Sequence, residues 1–171
     1  MEQRYVFALT VQNIPGVLAR ISGLLTRRGF NIDAISAAET ETPEISLMMV
    51  VFRADEYTAK QIRLQLEKQV DVYSLKELKS PEAVIREHVM IKVEAQPSER
   101  MEIISVAGIY RASIVDVSPE SMIIELTGES SKTAAFVEAV KPYGIIQVAR
   151  ASVIGMQRQG KPVLKKKFED I

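Results

Sequence analysis

The hydrophobic pattern predicts an α+β protein of two tandem βαββαβ sandwiches, each a four-stranded antiparallel sheet with two helices on one face. Three observations carry this prediction. Runs of alternating and of helical period follow one another as strand, helix, strand, strand, helix, strand. The same order recurs after a short polar break, Lys79-Ser80-Pro81-Glu82. The 171 residues are also enough for two small domains, here bounded at 1–79 and 80–171.

The elements follow in order. Residues 4–12 place Tyr5, Phe7, Leu9 and Val11 on one side of a half-buried strand. Asn13-Ile14-Pro15-Gly16 is a turn. Apolar positions 17, 18, 21, 24 and 25 then form a helical stripe, and Gly29 stops the helix. Residues 31–39 and 45–53 are strands joined by a turn at Glu41-Thr42-Pro43. Asp55 caps a helix with Ala59, Ile62, Leu66 and Val70 facing inward, and 71–77 is a fourth strand. In the second unit, 86–95 is a strand and Ser98 caps a helix carrying Met101, Ile104 and Ala107. Residues 112–117 and 121–127 form a hairpin around Pro119-Glu120. Ser130 opens a helix with Phe136, Val137 and Val140, ended by Pro142-Tyr143-Gly144, and 145–154 is the last strand. Residues 155–171 read as a polar tail, with Lys165–Lys167 as its frayed end. This order in each half is that of a ferredoxin-like sandwich. The sheet face away from the helices remains apolar, notably in Ile45–Val51, and is expected to be buried by the other domain or a second subunit.

Composition removes several classes of function. The 22 basic and 22 acidic residues cancel, leaving no field to hold a polyanion, so nucleic-acid binding is not expected. No apolar run reaches the roughly 18 residues of a membrane-spanning helix. Met1-Glu2-Gln3-Arg4 does not begin a signal peptide, so the expected location is cytoplasmic. With no cysteine there is no disulfide, thiolate nucleophile or cysteine-bound zinc. The single histidine, His88, lies in a strand with no second histidine or cysteine nearby and reads as a structural or surface residue. No metal site and no catalytic residue is assigned.

One stretch carries chemistry. Gly16 at the start of an amphipathic helix lets backbone approach a ligand, and the first helical N–H groups suit a small carboxylate. Asn13 and Asn31 are the only asparagines, and Asn31 lies at the start of the second strand, where an amide can meet both an ammonium and a carboxylate. An ordinary turn and an ordinary helix exit account for the same residues. The second unit has Ala95-Gln96-Pro97-Ser98 at the corresponding loop and is expected to hold no such site.

The run Asn13-Ile14-Pro15-Gly16-Val17-Leu18-Ala19-Arg20, followed by Arg27-Arg28-Gly29-Phe30-Asn31-Ile32, resembles the ACT domain. With Gln69–Val72, Arg86-Glu87, Ile91–Val93, Ile114–Val117, Glu125–Gly128 and Ala149-Arg150 in order, nearly the whole chain resembles the small regulatory subunit of acetohydroxyacid (acetolactate) synthase. Many ACT domains carry an acidic residue where Asn13 stands. The resemblance implies a non-catalytic subunit that binds no cofactor. Its partner is then a thiamine-diphosphate-dependent catalytic large subunit, which it activates and through which it passes on feedback inhibition by valine, leucine or isoleucine. It also implies a homodimer through the ACT domain, paired at the edge of the second strand, with the effector between subunits. On this reading the N–H groups from Gly16 to Leu18 hold the carboxylate, and Asn13 and Asn31 hold the polar end. Ile14, Val17 and Ile32 shape an apolar pocket beside Pro15. The second unit would contact the large subunit or its own copy. Two other readings stay open: an enzyme in its own right and an assembly protein without a ligand.

Overall fold

The computed structural model describes residues 2–159. The predicted tail beyond residue 159, including Lys165–Lys167, lies outside the described residues. The chain forms two compact units. The first comprises residues up to Val84 together with the segment from Val153, and the second comprises Ile85–Ser152.

In the first unit β1 (Gln3–Gln12), α1 (Val17–Arg27), β2 (Ala34–Glu39), β3 (Ile45–Ala54), α2 (Glu56–Glu67) and β4 (Val72–Glu77) follow the predicted order. They form an antiparallel sheet, β2-β3-β1-β4. Alternation along β1 sends Tyr5, Phe7, Leu9 and Val11 to the helix side, where they pack with Met48, Val50 and Phe52 and with Val17, Ile21, Leu25, Ile62 and Leu66. Gly29, at φ 74°, ends α1: Phe30 N–H donates to Leu25 O and Gly29 N–H to Thr26 O. This paired closure of the last turn needs a left-handed residue at Gly29. Asp55 caps α2 by accepting from Thr58 N at 2.7 Å.

Four expectations for this unit need correction. The second strand begins at Ala34, so Asn31 and Ile32 precede it. Leu18 is 47% exposed and lies off the buried stripe of Val17, Ile21, Leu24 and Leu25. Val70 lies beyond the end of α2 and is 94% exposed. The sheet's second face, expected to be buried by the other domain or a second subunit, is covered by a segment that spans the end of the last predicted strand and the start of the predicted tail. Ser36, Met49, Ala8 and Lys76 are register partners in one row across β2, β3, β1 and β4. Ser36 Oγ donates to Val153 O at 3.3 Å, and Lys76 Nζ donates to Gln157 Oε1 at 2.9 Å. Residues 153–157 therefore cross this face from edge to edge, and Val6, Ala8, Thr10, Met49 and Val51 on it are buried. Within this segment Ile154–Gln157 is a short strand of its own, β9, pairing with β5 (Ala83–Glu94); the last predicted strand stops earlier, at Arg150.

The second unit contains the rest of β5, α3 (Arg100–Tyr110), β6 (Ser113–Val117), β7 (Ser121–Gly128), α4 (Ser130–Val140) and β8 (Ile145–Arg150). Its strands are ordered β6-β7-β5-β8. Val89, Ile91, Val93, Ile124 and Leu126 pack against Ile103, Ala107, Phe136 and Val140. The inward phase of α3 differs from expectation: Ile103 and Ala107 are buried, while Met101 is 72% exposed and Ile104 is exposed. Ser98 does not cap α3; Glu99 occupies that position without a side-chain cap. The face away from the helices is not apolar here. His88, Lys92, Glu125 and Thr127 share it with Met90 and Ile123, and His88 Nδ1 lies 3.0 Å from Thr127 Oγ1. Such a face can stay in water.

Candidate functional site

β1 ends at Gln12, and the next four residues turn the chain into α1. Gly16 takes the N-cap position at φ 88° and ψ −9°, a left-handed conformation that disfavours residues with a Cβ. No side chain caps this helix, and its first turn has no acidic residue. Val17 N–H makes a long bond of 3.4 Å to Ile14 O. The N–H groups of Gly16, Leu18 and Ala19 have no backbone acceptor among the described residues. Three donors and the positive end of the helix dipole thus face outward together. The other helix starts carry an acidic residue at the N-cap: α2 is capped by Asp55 with Glu56 behind it, α3 has Glu99 at its N-cap and Glu102 in its first turn, and α4, which also lacks a side-chain cap, has Glu129 at its N-cap.

Two groups flank this turn. Arg20 lies one helical turn on, with its Nε donating to Asp71 Oδ2 at 2.7 Å. Its Nη1 stands 3.1 Å from where a Cβ on Gly16 would lie, so a guanidinium adds positive charge beside the free N–H groups. On the opposite side Asn13 is held at both ends of its amide. Its Nδ2 donates to Pro43 O at 2.7 Å, and its Oδ1 accepts from Ser46 Oγ at 2.9 Å. Its main-chain N–H donates to Glu44 O at 2.8 Å. Asn13 thereby ties the turn to the β2–β3 connection and to the last residue of β2, with Glu39 Oε2 3.5 Å from Nδ2.

The structure brings Asn13, Ile14, Pro15, Gly16, Val17 and Leu18 together. Ile14 and Leu18 are exposed beside the free donors, whereas the Val17 side chain is buried in the core and does not line a surface pocket. Asn31 and Ile32 stand apart from these residues. Asn31 is exposed and precedes the start of β2, while Asn13 sits by its end. Six residues of strand separate those ends by roughly 17 Å. One amino acid cannot touch both asparagines of a single chain. Ile32 packs on the core with Phe30 and Ile35. Sequence reasoning missed Arg20 and Glu39. The four-residue spacing of Arg20 from Gly16 on one helix signals the first, but only strand pairing brings Glu39 near.

β2 is an edge strand, paired on one side with β3, and its Ala37, Ala38 and Glu39 are exposed. A ferredoxin-like unit with an uncapped, glycine-started helix at the tip of β1 and a short edge strand beside it is an ACT-type module, here joined to a second unit of similar topology. Comparison with known proteins agrees for both halves. Residues 7–74 match the family model "AHAS small subunit-like ACT domain", and residues 86–159 match "Small subunit of acetolactate synthase". The chain is 43% identical over 155 residues to the probable acetolactate synthase small subunit of Methanothermobacter thermautotrophicus, covering 90% of this chain and 92% of that one. It is 42% identical over 154 residues to the acetolactate synthase small subunit of Bacillus subtilis, with 90% of each chain covered. The crystal structure of the acetolactate synthase small subunit from Thermotoga maritima superposes with a TM-score of 0.83 at 34% identity, covering 93% of this chain and 99% of that one. The chain belongs to the acetolactate synthase small subunit family.

Proposed function

We propose that this chain is the regulatory, non-catalytic subunit of acetohydroxyacid synthase in branched-chain amino acid biosynthesis. It activates a cytoplasmic, thiamine-diphosphate-dependent catalytic subunit and transmits feedback inhibition by valine or a related branched-chain amino acid. The observation that carries this reading is the uncapped start of α1. Free N–H groups at Gly16, Leu18 and Ala19, with the Arg20 guanidinium beside them, are suited to a carboxylate, and exposed Ile14 and Leu18 to a branched side chain.

The site is completed by a second copy. Antiparallel pairing of two β2 edges about a twofold axis sets the start of one strand beside the end of the other. Asn31 of one protomer then approaches the Asn13–Gly16 turn of its partner, a meeting that the length of β2 forbids within one chain. Effector binding and dimer geometry are thereby coupled, typically by about 1–3 kcal/mol.

Reconstitution with a cognate large subunit tests the reading. Acetolactate formation should rise when this chain is added and fall as valine is titrated in. Turnover by this chain alone would make it an enzyme. Activation without any response to valine, leucine or isoleucine would make it an assembly factor.

A further inference from the structure

We propose that Glu39 receives the α-ammonium group of the bound effector and so makes the site select amino acids over plain carboxylic acids; this rests on the effector reading above. A zwitterion brings two charges to the turn. The helix N-terminus and Arg20 are donors and serve only the carboxylate. The ammonium needs an acceptor. Asn13 does not offer a free amide for it, because Oδ1 already accepts from Ser46 Oγ and Nδ2 donates to Pro43 O. The remaining Nδ2 hydrogen points toward Glu39, where the 3.5 Å separation leaves that carboxylate with most of its accepting capacity unused.

Glu39 is also held in place. It is the last residue of β2 and the register partner of Ser46, the residue that bonds Asn13. Strand pairing therefore holds Glu39, Ser46 and Asn13 as one constellation beside the turn. No lysine or arginine pairs with Glu39 among the described residues, unlike Asp71 and Asp33, which pair with Arg20 and Arg53. An exposed carboxylate with no cationic partner among the described residues, beside donors already assigned to an anion, is suited to a cation. It also repels a carboxylic acid that lacks the ammonium, which turns attraction into selectivity.

Calorimetric titration of the full chain with valine and with 3-methylbutanoate, the same acid without its amino group, tests this. The wild-type chain should bind valine and discriminate strongly against 3-methylbutanoate. Glu39→Gln should weaken valine binding by about ten- to a hundredfold, the usual loss for a charge-assisted hydrogen bond. It should leave 3-methylbutanoate unchanged or tighter, so the discrimination collapses. Glu39 is exposed, so the variant should melt as the wild type does. If valine binds the wild type and Glu39→Gln keeps the same affinity and discrimination, the Glu39 assignment is wrong and the effector reading stands. If the wild type binds no branched-chain amino acid, both are wrong.

Discussion

Replacing Gly16 with aspartate isolates the charge at the candidate site. The left-handed φ of 88° costs a residue with a Cβ about 1–2 kcal/mol. Part of this is recovered, since an acidic side chain at a helix N-terminus contributes about 0.3–1 kcal/mol. The nearest atom to the new Cβ is the flexible end of Arg20, at 3.1 Å, which can shift. A net loss near 1 kcal/mol leaves a protein of ordinary stability folded. Binding suffers far more. A second carboxylate about 4 Å from that of the ligand repels it by about 1 kcal/mol in bulk water and about 4 kcal/mol at a protein surface. Valine affinity should therefore fall between about fivefold and a thousandfold, and less at high salt. Gly16→Ala is the control, because it carries the backbone cost without the charge and should weaken binding less. Calorimetry with valine at two salt concentrations, beside thermal melts of each variant, gives the answer. Wild-type affinity in Gly16→Asp would remove this turn from the site. An unfolded Gly16→Asp, with Gly16→Ala folded and binding as wild type, would make Gly16 a folding residue only.

Three further outcomes follow from particular contacts. Asn13→Ala removes the bonds to Pro43 O and Ser46 Oγ and should lower unfolding free energy by about 1–2 kcal/mol in urea titrations, besides weakening valine binding. A chain stopped after Ser152 loses the segment that crosses the second face of the first sheet. It should melt earlier and bind a hydrophobic dye through the uncovered Ala8 and Met49 row; unchanged melting would show that this cover is dispensable. The bonds from Thr58 hold the Asp55 carboxyl below its ordinary value of 3.8. Its stabilisation is therefore complete above that value and lost as pH falls through the depressed one, so acid unfolding curves of Asp55→Asn should be flatter in that range.

Much of the fold was legible in the sequence because the physical signal is local. The alternation of Tyr5, Phe7, Leu9 and Val11 and the stripe at 17, 21, 24 and 25 each report a face without knowledge of its partner. Where apolar residues surround a helix, the signal fails. Met101, Ile103, Ile104, Val106, Ala107 and Ile109 cover most of α3, so the phase that buries Ile103 and Ala107 is set by packing. The covering segment from Val153 was missed because Ile154–Gln157 is short and its fit depends on Ser36 and Lys76, more than 80 residues away in sequence. The site divides the same way. The Asn13–Leu18 turn is visible as a motif because its residues are contiguous. Glu39 and Ser46 join it only through strand register, and the distance to Asn31 only through the length of β2.

The claim that two chains share one effector site is tested most directly by mixing two defective chains. Gly16→Asp and Asn31→Ala should each weaken valine binding as homodimers. When the two are co-expressed and purified as a mixed dimer, one of its sites pairs the intact turn of one protomer with the intact Asn31 of the other. Calorimetry of the mixed dimer should therefore recover valine binding at wild-type affinity, at fewer sites per dimer. A mixed dimer that binds no more valine than either parent would contradict a shared site.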